Sequence, residues 1–111
     1  MEIKTRDEGT VRVLELIGDL MGGTEVDHFR KRIDEAIEEE VVQIVVDMSR
    51  VSWMNSSGLG MLISGLTSLR SSGGDLRLAS LSERIKRPLQ ITKLDTVFQQ
   101  FASVRDAVQS F

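Results

Sequence analysis

"VVDMSRVSWMNSSGLGML" occupies residues 45–62. Its start continues the β-branched run "EVVQIVVDM" (40–48), the mark of a strand covered on both faces. Its end opens an apolar pattern at helical spacing, Leu59, Leu62, Ile63, Leu66 and Leu69, which stops before Gly73-Gly74. A strand that passes through a short neutral loop into a helix is one unit of an α/β fold.

The flanks repeat the unit. Before it, "VRVLELIG" (11–18) alternates like a strand and pairs with residues 2–6 through a turn at Glu8-Gly9. "GDLMGG" (18–23) reads as a loop. Thr24 is placed as an N-cap with Asp27 as a weak capping-box partner, and Val26, Phe29, Ile33, Ala36 and Ile37 predict an amphipathic helix over about 25–38. After it, "DLRLASL" (75–81) is a strand, and "SERIKRPLQITKL" (82–94) is a helix interrupted by Pro88, a first-turn residue or a kink. "TVFQQF" (96–101) is a short strand, and Ser103 caps a last helix through Val104, Ala107 and Val108. The expected architecture is α/β over residues 1–111 as one domain, with a mixed central sheet flanked by about four helices.

Composition narrows the function classes. A net charge of −3 and a pI near 5.1 argue against nucleic-acid binding, which needs a basic stripe to displace counterions. With no cysteine, disulfides and thiolate chemistry are excluded. "MEIKTRDEGT" has no apolar core of a signal peptide, so a cytoplasmic location is expected. A nucleophile elbow needs G-x-S-x-G, but Met54 and Asn55 stand two residues before Ser56 and Ser57. The lone histidine, His28, falls on the polar side of the first helix, where it offers no base to either serine. Gly58-Leu59-Gly60 begins a phosphate-loop match that fails at Ile63 and lacks a following lysine. No metal-ligand spacing is present, and "EEE" (38–40) reads as a solvated, frayed helix end. Neither a cofactor nor an enzymatic activity is expected.

The unusual feature is a gap in charge. Residues 51–69 are nineteen positions without Asp, Glu, Lys, Arg or His. Three glycines, an asparagine and six Ser or Thr residues make this a soluble helix with one buried stripe and no membrane span. Opposite the leucines lie Met61, Ser64, Gly65 and Ser68, a flat neutral side. That side fits either a partner protein, since interface centres are poor in charge, or another element of the same chain. The partner reading expects Lys at Met61 or Gly65 to weaken docking and spare thermal stability. Asn55 or Ser56 serves as the helix N-cap. The free N–H groups beyond it suit a phosphate on a hydroxyl, and the added charge would oppose docking against a neutral face.

The stretch 45–62 resembles the signature of the STAS domain, specifically the anti-sigma factor antagonists, whose core motif is an Asp-Ser-Ser-Gly-Leu-Gly segment. "LIGDL", Thr24 and the second half from "GGDLRLASL" to "SVRDAV" are similar to the same family, so the resemblance covers almost the whole chain. It implies partner switching without enzymatic activity. The unphosphorylated antagonist binds an anti-sigma factor that is also a serine kinase, which uses ATP and magnesium to phosphorylate it and end the interaction. A serine phosphatase reverses the modification. By this resemblance Ser56 is the phosphorylated residue and Ser57 has a capping role. Met21, Met54, Asn55, Ser57, Met61, Gly65 and Ser68 are expected to contact the partner, with loops 18–23 and 49–56. Two positions depart from the pattern: Asn55 and Met21 stand where acids are common. The alternative is a fixed STAS subunit of a transporter or lipid-transport complex, without a switch.

Overall fold

The structure is a computed structural model describing residues 1–111. Five strands form one sheet in the order β1-β2-β3-β4-β5: β1 (Glu2–Glu8), β2 (Val11–Ile17), β3 (Gln43–Arg50), β4 (Asp75–Ala79) and β5 (Gln99–Phe101). β1 runs antiparallel to β2 across the Gly9 turn, and the other neighbours are parallel, so the sheet is mixed as expected. The parallel crossovers are α1 (Thr24–Glu38), α2 (Ser56–Ser71) and α3 (Glu83–Ile91), and α4 (Val104–Gln109) closes the chain.

The core divides across the sheet. On one side Leu14, Leu16, Ile44, Val46 and Leu78 meet Phe29 and Ile33 of α1, Leu62, Leu66 and Leu69 of α2, and Ile85 and Leu89 of α3. On the other side Val11, Val13, Val45 and Ala79 are covered by Ala107 of α4. β3 is therefore buried on both faces, which is why its sequence does not alternate.

Several local expectations change. The α1 cap is Gly23 in a left-handed conformation, and Thr24 is the first helical residue without a side-chain cap bond. Glu25 in the first turn accepts the Met21 N–H at 3.1 Å and so ties the first loop to the helix. Pro88 lies in the second turn of α3, which ends only three residues later, so the bond it cannot donate is lost near a helix end. Leu94–Thr96 is a short 3-10 turn, and β5 begins after it. The acid run is not idle: Glu39 accepts a charge-assisted bond from Arg12 and Glu40 takes a left-handed conformation that stops α1.

Candidate functional site

Beyond β2 and β3 the two chain segments continue side by side and build the entry to α2. Asp47, the only buried charged side chain, accepts the Ser49 N–H at 3.0 Å, at the point where the β2–β3 register shifts and before β3 ends at Arg50. The Leu20 N–H donates to the Trp53 carbonyl at 2.9 Å, and the Asn55 N–H donates to the Leu20 carbonyl at 3.1 Å. These bonds make a parallel bridge between Leu20 and Met54. Alternation across the bridge then sorts the side chains. Leu20 and Met54 turn inward and are buried, while Met21 and Trp53 turn outward and are each 48% exposed.

Asn55 fixes the helix start, one of the two alternatives open at the sequence level. Its Oδ1 accepts the Gly58 N–H at 2.9 Å, and its Nδ2 donates to the Met21 carbonyl at 2.9 Å. Ser56 and Ser57 are thus the first two residues of α2, both exposed, and neither backbone N–H has an acceptor in the chain. Ser57 is no cap. Its Cβ lies 2.8 Å from where a Cβ on Gly22 would stand, so Ser57 packs against the first loop at Gly22. Gly58 is needed for a different reason: any Cβ there would lie 2.3 Å from the Leu20 carbonyl oxygen. The nearest acid in the first loop, Asp19, is occupied by the Ser52 hydroxyl at 2.8 Å.

The residues expected to contact a partner therefore divide. Met21, Asn55, Ser56 and Ser57 come together at one end of the sheet. Met54 is buried beneath the bridge and presents no surface. Met61 and Gly65 are also buried, because that side of α2 packs on α1. A Cβ on Gly65 would meet the Phe29 ring at 2.8 Å, so the small residue admits a neighbouring helix of the same chain. Ser68 is half-buried at the rim of the α1–α2 crease. Beyond Ser56 and Ser57, what remains exposed on α2 is Gly60, Ser64, Thr67, Arg70 and Ser71. Trp53, inside the 49–56 loop expected to make contact, is the surface residue that the sequence reading did not single out. Its signal was present, an aromatic side chain in an uncharged run, on the opposite side of the strand path from Met54. His28 is exposed on α1, as expected, and faces no serine chemistry.

The arrangement offers two exposed apolar side chains, an exposed hydroxyl on Ser56, and unused N–H groups at a helix start. No group of His, Cys, Asp and Glu is placed to hold a metal ion, and no helix is long and apolar enough to cross a membrane.

Comparison with known proteins agrees with the fold. The STAS domain family model matches residues 2–107. The anti-sigma-B factor antagonist of Listeria monocytogenes is 31% identical over 104 residues, spanning 89% of this chain and 85% of that protein. The crystal structure of a Thermotoga maritima protein described as a candidate anti-sigma factor antagonist superposes with a TM-score of 0.88 at 26% identity, covering 97% of this chain and 92% of the other. The Bacillus cell fate determinant SpoIIAA in its phosphorylated form shares the fold, with a TM-score of 0.76 at 22% identity over 98% of both chains.

Proposed function

This chain belongs to the STAS domain family, among the anti-sigma factor antagonists, and from that premise we propose that it works as a phosphorylation-controlled partner switch centred on Ser56. Unphosphorylated, it docks an anti-sigma factor that is also a serine kinase through the surface of Met21, Trp53, Asn55 and Ser57. Phosphorylation of Ser56 by that kinase, with ATP and magnesium, releases it, and a phosphatase restores it. The observation that carries the reading is the placement of Ser56: exposed, first in α2, beside unused N–H groups and beside two exposed apolar side chains.

The physical logic has two halves. In the free protein a phosphate on Ser56 meets the N–H groups and dipole of α2, so it is tolerated without unfolding. In the complex the same group, carrying about −1.5 to −2 charges, would be desolvated against apolar contacts. A loss of about 3 kcal/mol is roughly a hundredfold in affinity, enough to release a partner.

The test is incubation of the full chain with its anti-sigma factor and ATP, followed by intact mass and phosphopeptide mapping. One added phosphate on Ser56 is expected, with Ser56→Ala binding constitutively, Ser56→Asp binding poorly and Ser57→Ala still accepting phosphate. Phosphate on Ser57, or tight binding by Ser56→Asp, overturns the assignment. Unmodified protein in a stable complex would identify the fixed-subunit alternative.

A further inference from the structure

We propose that the outward face of α3 is a second docking surface, built for an acidic protein segment that carries an apolar side chain. This does not rest on the Ser56 reading and uses none of its residues.

α3 buries Ile85 and Leu89 and turns Arg84, Arg87 and Ile91 outward, at i, i+3 and i+7 of one stripe. Ile91 is 74% exposed, more than any other large apolar side chain, Met21 and Trp53 included. Neither Arg84 nor Arg87 makes a hydrogen bond or an ion pair; the helix has a single pair, Lys86 with Glu83 at 3.7 Å. Glu83, Arg84, Arg87, Pro88, Gln90 and Ile91 line an open depression of about 550 Å³, formed by this helix alone.

Each feature alone is ordinary, since single exposed apolar residues and unpaired surface arginines are common. Their conjunction is not favoured by the fold. Like charges one turn apart weaken a helix by a few tenths of a kcal/mol, and a β-branched residue at its end adds little. Ile91 contributes nothing to the core, because it lies two residues past Leu89 and so on the other side. The charge is also local: over residues 83–93 four basic side chains face one carboxylate, on a molecule whose net charge is −3. A cationic island on an acidic protein selects an acidic partner, and the guanidinium forks suit paired carboxylates. A protein segment fits better than a lipid surface. An interfacial helix needs an apolar face, and α3 has only Ile91 left outside the core.

The proposal is tested with the full-length ¹⁵N-labelled chain, titrated at low salt with a synthetic helical peptide bearing two glutamates one turn apart and a leucine on the same face. Saturable amide shifts confined to residues 83–93 are expected. The Arg84→Glu/Arg87→Glu double variant should lose about tenfold or more in affinity, as should raised salt, and Ile91→Ser should weaken binding severalfold. Thermal melts of the variants should match the parent, which separates lost docking from lost folding. Absent or scattered shifts, equal shifts with the glutamine version of the peptide, or a response to anionic phospholipid vesicles but not to the peptide would each overturn it.

Discussion

At Asn55 one amide joins two elements, its oxygen closing the first turn of α2 and its nitrogen holding the Met21 carbonyl of the first loop. An aspartate in its place would keep the cap and gain about 0.3–1 kcal/mol from the helix dipole, but it has no hydrogen for Met21. Asn55→Asp is therefore expected to change global stability by less than about 1 kcal/mol while speeding amide exchange over residues 20–23. Unchanged protection there would show that the loop is held by something else. Trp53 and Gly58 make a contrasting pair. Trp53→Ala should leave the melting temperature almost unmoved and weaken partner binding by about 2 kcal/mol, roughly thirtyfold, as an exposed aromatic anchor does. Gly58→Ala should instead destabilise the fold by about 1–3 kcal/mol in denaturant melts, because the Leu20 backbone occupies the space a methyl needs.

For α2 as an element, the leucine periodicity predicted the inner stripe and left the opposite side open between a partner and another element of the same chain; at Met61 and Gly65 it is the chain's own α1. Leu62 and Leu66 are buried, and Leu66→Ala should cost about 2–5 kcal/mol. Met61 and Gly65 are buried as well, since α2 touches both the sheet and α1 and its covered arc is wider than the leucine stripe. Periodicity shows which residues avoid water; it does not show which neighbour covers a small uncharged side. Lys at Gly65 is now expected to destabilise, whereas Ser64→Lys, on the exposed side, should be nearly neutral in thermal melts. The strand-loop-helix order, the Ser103 cap and the mixed sheet were legible because each follows from local spacing or a local side chain. The Gly23 cap was not, because Thr24 is the better local capping residue, nor was the inward turn of Met54, because it depends on how the first loop runs beside the second.

At the scale of the whole molecule, α1, α2 and α3 each follow a strand of the parallel set, so their N-termini gather at the carboxyl ends of the strands, where such sheets build their sites. The far end is held by charge. Arg12 of β2 donates to Asp7 at 2.7 and 3.1 Å and also to Glu39 at the end of α1, tying the β1–β2 hairpin to the helix. The hydrogen bonds from Arg12 hold the Asp7 carboxyl below the ordinary value of 3.8, against a small opposing effect of burial. A carboxyl whose folded-state pKa lies below its unfolded one binds its proton more readily when unfolded. Its contribution is therefore present above the ordinary aspartate value and fades as pH falls through the lower, folded one. Asp7 is half-exposed, so the contribution stays below about 1 kcal/mol and shrinks with salt. Asp7→Asn should accordingly be slightly less stable than the parent in urea melts at pH 7 and indistinguishable from it once the pH is well below 3.8. A stability gap that persisted in acid would mean that Asp7 acts through packing or shape, and that charge does not close this end of the sheet.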